Sequence, residues 1–214
     1  MADYALHCFA QSGNAYKAAL MLELTQSSWK PCFVDFFNGA ARSPDYAAIN
    51  EMAEVPTLIH GDVTLSQSGV ILDYLAGQTG TFGPTDEQQR REILRWTLWD
   101  NHKLTANIAT GRFMQCFMPE KHRNGDVIGF LMGRARAALQ TLNTRLGNRD
   151  WIVGSNPSIA DLSCIGYIFF LDEIGIDADA DFPHVARWRN AVSNLPHWRH
   201  PYDLMPGHPL PARD

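Results

Sequence analysis

The chain is poor in the features that mark several common protein classes. Its 214 residues hold only four cysteines, Cys8, Cys32, Cys116 and Cys164, with no Cys-x-x-Cys and no zinc-like spacing. That excludes a disulfide-stapled scaffold and a dithiol redox motif, and points to free thiols in a reducing compartment. Positive charge is also short: 18 Lys and Arg stand against 23 Asp and Glu, a net charge of -5. Such a balance offers no basic footprint for nucleic acid. No apolar run approaches the ~20 residues of a membrane span. The opening Met1-Ala2-Asp3-Tyr4 lacks the basic-then-apolar order of a signal peptide, so the expected location is the cytoplasm, with no membrane partner. Internal repeats and low-complexity tracts are missing as well.

What is there is an alternation of strand and helix signals followed by a long helical stretch. Residues 4–9 predict a strand, 15–24 a helix, 32–36 a strand and 44–49 a short helix. Strands at 57–59 and about 63–65 follow, then a helix from Ser68 to Leu75. This order suits a small mixed sheet covered by helices. The segment Gly77-Gln78-Thr79-Gly80-Thr81-Phe82-Gly83-Pro84-Thr85 breaks any helical pattern. It predicts a domain over 1–78, a linker over 79–85 and an all-helical domain over 86–214. The tail after Trp198 carries Pro201, Pro206, Pro209 and Pro211 and reads as irregular surface chain.

The most informative stretch is Glu54-Val55-Pro56-Thr57-Leu58-Ile59, then the Gly61-Asp62 turn and Leu65-Ser66-Gln67-Ser68-Gly69-Val70-Ile71. Pro56 fits the first residue of a strand, where no ladder amide is needed. Gln67-Ser68 stands just before an apolar helical face, so an exposed valine-proline backbone lies beside the start of a helix. Such a corner suits an extended peptide held by its main chain and a carboxylate held by helix amides.

These residues resemble the glutathione transferases. The likeness extends upstream to Phe9-Ala10-Gln11-Ser12-Gly13-Asn14-Ala15-Tyr16-Lys17 and downstream to Trp151-Ile152-Val153-Gly154 and Ser158-Ile159-Ala160-Asp161, covering nearly the whole chain. It implies a thioredoxin-like α/β domain for glutathione followed by an all-α domain for an electrophile, in a serine-type, bacterial-like cytosolic homodimer active in detoxification. Glutathione is then a co-substrate, and no metal or redox cofactor is implied. A glutathione thiol resembles free cysteine, with a pKa near ~8.5. Lowering it by ~2 units requires about 2.7 kcal/mol of preference for the anion. One hydrogen bond to a charged group, about 1.5 to 3 kcal/mol, and a helix N-terminus, roughly 0.3 to 1, supply that.

Ser12 is the residue the resemblance assigns to that hydrogen bond, and Asn14 is its competitor in the same loop. The local alternative for Ser12 is a helix N-cap. Val55 would pair with the cysteinyl backbone beside a cis Pro56, and Gln67 and Ser68 would hold the γ-glutamyl end. At Glu54 the chain departs from the family, many of whose members place a lysine there for the glycyl carboxylate; Arg42 is the cation that could replace it. Asn107, Arg112 and Phe113 fall on the helix that borders the electrophile site in the family. Ser158 and Asp161 form a capping box with a structural role. His197 and His200 lie at a proline-bounded helix end and are not read as metal ligands. The alternatives are a non-catalytic interaction module of the same fold, encouraged by Glu54, or a glutathione-dependent isomerase or ether-cleaving lyase.

Overall fold

The computed structural model describes residues 3–209. Its contacts divide the chain into two compact units, the residues up to Gly83 together with Leu195–Pro209, and Pro84–Asn194.

The first unit is a four-stranded mixed sheet with helices. β1 (Tyr4–Cys8) leads through α1 (Gly13–Leu24) to β2 (Trp29–Phe33), and after the short α2 (Pro44–Ala47) come β3 (Thr57–His60), β4 (Val63–Ser66) and α3 (Ser68–Thr79). The order is β2-β1-β3-β4. β1 runs parallel to β2, with His7 opposite Cys32, and antiparallel to β3, with Leu6 opposite Leu58. Alternation decides the faces of β1: Tyr4, Leu6 and Cys8 are buried while Ala5 and His7 are not fully so. α1 is buried from Ala15 through Leu22, and with Ile71, Leu72 and Leu75 of α3 it fills the core beside the sheet.

Three sequence expectations shift. The second strand lies at 29–33 and not 32–36, because Pro31 is tolerated on the outer strand of the sheet, where its missing N–H breaks no ladder. α3 continues past Leu75 to Thr79 and stops only at Gly80, which donates its N–H to Ala76 O at 2.9 Å and, with a φ of 67°, turns the following chain out of the helix. The segment 195–209 belongs with the first unit and not with the helical one. It is not irregular surface chain either: Pro201 starts a helical turn, α10 (Pro201–Leu204), at the position where a missing N–H costs nothing, and Pro201, Leu204 and Met205 are buried.

The second unit contains α4 (Glu87–Trp99), α5 (Ala106–Arg112), α6 (Gly125–Arg145), α7 (Ile159–Cys164), α8 (Ala178–Asp181) and α9 (Pro183–Ser193). Asp86 caps α4 by accepting from Gln89 N at 2.8 Å. Wide π-helical turns at Asp100–Thr105 and Phe113–Phe117 flank α5. Trp188, Phe170, Ile108 and Leu139 are fully buried in this unit's core. Among the described residues no helix is long and apolar enough to cross a membrane.

Candidate functional site

The start of α1 carries Ser12, Gly13 and Asn14. Ser12 is the N-cap, in extended backbone geometry, and its Oγ accepts from Ala15 N at 3.1 Å. The local reading of this serine as a cap is therefore present in the structure. It does not exhaust the hydroxyl, because among the described residues the proton of Ser12 Oγ is donated to no acceptor. The side chain is nonetheless 5% exposed, so its direction is constrained.

The start of α3 meets the start of α1. Ser68 Oγ donates to Asn14 Oδ1 at 3.4 Å, and Ser68 is itself buried. Gln67, just before it, has φ 66° and ψ 114°, a conformation uncommon for a residue with a Cβ and one that collects at ligand sites. Two helix N-termini with their free amides thus converge on one corner beside the Val55-Pro56 peptide, which is cis.

That peptide sits on a buried polar network. Asn50 Nδ2 donates to Glu54 O at 2.7 Å and to Thr57 Oγ1 at 3.1 Å, and the Tyr46 hydroxyl donates to the same Glu54 O at 2.9 Å. Thr57 Oγ1 lies 3.1 Å from the Tyr46 oxygen, and burial pushes the Tyr46 phenol above its ordinary value. Two donors on one carbonyl fix the backbone immediately ahead of Val55. The sequence reading missed Tyr46, Asn50 and Thr57. A signal existed, since Tyr46 and Asn50 are polar-tipped side chains in the same short segment as the cluster Val34, Ala41 and Ile49.

Glu54 stands immediately before the cis Val55-Pro56 peptide. Its carboxylate accepts from Gln67 Nε2 at 3.0 Å, and that amide also contacts Met52 Sδ at 3.1 Å. The negative charge therefore lies at the Gln67 end of the corner. Arg42 is exposed in the turn before α2, its backbone N–H donates to Gly39 O at 2.9 Å, and its guanidinium has no hydrogen-bond or ion-pair partner among the described residues.

In the helical unit the three expected electrophile-site residues have different fates. Arg112 is 2% exposed, its guanidinium bonds Glu173 Oε2 at 2.7 Å and it lies 4.0 Å over the Phe170 ring. Asn107 is buried, donates to Lys103 O and accepts from Arg134 Nε at 3.1 Å. It lines a cavity of about 280 Å³ with Trp99, Lys103, Arg134 and Thr141. Phe113 is 39% exposed at the start of a π turn.

Ser158 and Asp161 make the reciprocal capping box of α7. Asp161 does more than the box requires: fully buried, its carboxylate accepts from Ser158 N and Ile152 N at 2.9 Å each, from Ser158 Oγ at 3.0 Å and from Trp188 Nε1 at 2.9 Å. Burial pushes its pKa up to about 6, against these four donors, which favour the anion. The Ile152 and Trp188 partners, distant in sequence, carried no local signal. His200 caps α10 through its ring, Nδ1 accepting from Tyr202 N at 3.4 Å.

Family models described as the N-terminal and C-terminal domains of glutathione S-transferase match residues 4–77 and 105–196. The disulfide-bond oxidoreductase YfcG of Escherichia coli is 27% identical over 88% of this chain and 89% of its own length. Among solved structures, a possible glutathione S-transferase from Rhodopseudomonas palustris is 30% identical, covering 94% of this chain and 98% of that one at a TM-score of 0.84. A glutathione S-transferase from Pseudomonas fluorescens is 28% identical, covering 94% and 100% of the two chains at a TM-score of 0.87.

Proposed function

The chain belongs to the glutathione S-transferase family through both of its domains, and on that premise we propose that it is a glutathione transferase whose Ser12-stabilised thiolate attacks a small hydrophobic electrophile. The observation that carries the reading is the convergence of the α1 and α3 N-termini, tied by Ser68 and Asn14, with Ser12 retaining a hydroxyl proton to give.

In this reading Ser12 donates to the glutathione sulfur and the first amides of α1 add their positive field, lowering the thiol's pKa toward neutrality. Val55 pairs its amide and carbonyl with the cysteinyl backbone, supported by the Tyr46 and Asn50 bonds to Glu54 O. The γ-glutamyl end is an α-amino acid. Ser68 and the α3 amides take its carboxylate, while Glu54, held beside Gln67, takes its ammonium. An anion before Val55-Pro56 then favours the ligand instead of repelling it. Arg42 is assigned to the glycyl carboxylate, and Asn14 orients Ser68 or shares the sulfur. For the electrophile the helical unit offers Asn107 and Phe113. The protein acts in the cytoplasm as a homodimer, with glutathione as co-substrate, no metal or redox cofactor, and no nucleic-acid or membrane partner.

The test is calorimetric binding of glutathione together with conjugation of a model aryl halide. Tight binding with a lowered thiol pKa and measurable conjugation supports the reading; failure to bind glutathione overturns it. A second reading, favoured by the similarity to a disulfide-bond oxidoreductase over 88% of the chain, directs the same thiolate at a disulfide sulfur. Good glutathione binding with turnover of a mixed disulfide but not of the aryl halide selects it.

A further inference from the structure

The turn that presents Ser12 is tied from outside by a segment almost 200 residues away. Ala10 N donates to Pro206 O at 2.8 Å. Gln11, 3% exposed, pairs its side-chain amide with the backbone of His208 in both directions: Nε2 donates to His208 O at 2.6 Å, and Oε1 accepts from His208 N at 3.1 Å. Between them Gly207 passes so close that an added Cβ would stand 2.7 Å from the Ala10 Cβ and 2.9 Å from Gln11 Oε1. The His208 ring is packed among Phe37, Phe33 and Phe9 at centroid distances of 4.4, 5.3 and 5.7 Å, with Nδ1 3.5 Å from Asp35 Oδ1. A second tie lies one turn into α1, where the Tyr16 hydroxyl donates to Arg199 O at 2.9 Å.

None of these bonds is needed to form the turn or start the helix. Ser12 N already closes the turn on Phe9 O at 3.0 Å, and Ser12 Oγ already caps α1. What the outer ties remove is the freedom of residues 10–12 to shift as a unit. A donor aimed at sulfur is sensitive to such shifts, since a displacement of ~1 Å can cost ~100-fold in rate. We propose that residues 206–208 form a strap, and that Gln11 and Gly207 are positioning residues which hold the Ser12 hydroxyl in line with the reacting sulfur. The proposal rests on the reading of Ser12 given above.

The test uses two full-length variants. Gln11→Met keeps the side chain's bulk and removes both bonds to His208, and Gly207→Ala places a Cβ where Ala10 and Gln11 stand. For each, glutathione affinity, turnover, the pH titration of thiolate absorbance in the complex, and amide hydrogen exchange over residues 10–15 are measured against wild type. The expected result is a fall in kcat of roughly tenfold, a thiolate midpoint moved toward that of free glutathione, affinity within about twofold, and faster exchange at Ser12 to Ala15. An unchanged thiolate midpoint, with kcat falling only in proportion to the folded fraction, overturns the proposal. If wild type binds no glutathione, the functional reading fails by itself. The strap is then decided by exchange: loss of protection in Gln11→Met supports it, and unaltered protection overturns it.

Discussion

Two serines cap helices in the two units of this protein, and they have been put to different ends. Ser12 at α1 and Ser158 at α7 are each 5% exposed, and each Oγ accepts from a backbone amide of the helix it starts. The difference lies three residues on. At α7 that position is Asp161, which takes the Ser158 hydroxyl proton at 3.0 Å, so every valence of the cap is used within the fold. At α1 it is Ala15, whose side chain can take nothing, and among the described residues no acceptor takes the Ser12 proton. A capping serine with an acid at the third helical position is closed. One with an alanine there stays open, and with a second helix N-terminus beside it, it can meet an anion.

The largest effect expected from breaking this comparison is at Ser12. Ser12→Ala should lower turnover by roughly one to three orders of magnitude while leaving glutathione affinity nearly unchanged, since the lost bond favours the thiolate over the ground-state tripeptide. Thiolate absorbance against pH in the complex is the measurement. A mutant whose titration matches wild type would pass the role to Asn14. At the closed cap the loss should fall on folding instead. Asp161→Ala strands the Ser158, Ile152 and Trp188 donors in a dry interior and should cost at least ~3 kcal/mol, well above the ~1 kcal/mol of an ordinary cap. Denaturant unfolding combined with active-site titration separates the two effects. Native stability with greatly reduced turnover would move Asp161 into the chemistry.

Much of this contrast can be read from the sequence, because it is local. Ser-x-x-Asp against Ser-x-x-Ala, the Val55-Pro56 step and the Gln67-Ser68 pair before an apolar face all act within a turn of chain. The order of strands and helices follows for the same reason. What could not be read is whatever depends on pairing across distance. Trp188 reaching Asp161, Gln11 pairing with His208, and Arg112 folding inward onto Glu173 leave no periodic or local trace. Proline misled at Pro201, which starts a helical turn, since its tolerance depends on which amides the surrounding structure leaves unused.

A smaller effect should appear in the pH dependence of stability. With its folded pKa raised from 3.8 to about 6, Asp161 binds its proton more readily in the folded state. Its contribution is then fully present below the unfolded pKa and is lost as pH rises through about 6, so stability attributable to this group falls over that window and is flat above it. Urea midpoints of wild type and Asp161→Asn at intervals from pH 4.5 to 7.5 read this directly, because the variant lacks the titration. Wild type should lose ground against the variant as pH rises. If it gains ground instead, the four donors dominate over burial and the carboxylate is ionised throughout.

The smallest effect is expected at Glu54, in the open corner. Its bond to Gln67 is exposed, and exposed pairs of this kind contribute little, so Glu54→Gln should leave the unfolding midpoint within about 0.5 kcal/mol of wild type. Its effect should be on the ligand. If the carboxylate meets the γ-glutamyl ammonium, Glu54→Gln weakens glutathione binding by roughly threefold and Glu54→Lys by about tenfold or more, both less severely at high salt. Arg42→Ala should weaken binding independently, with the double mutant showing additive losses, because the two charges then serve opposite ends of the tripeptide. The informative reversal is Glu54→Lys binding glutathione more tightly than wild type. That result would put residue 54 beside the glycyl carboxylate after all, and would leave the bond to Gln67 as a resting contact that the ligand breaks.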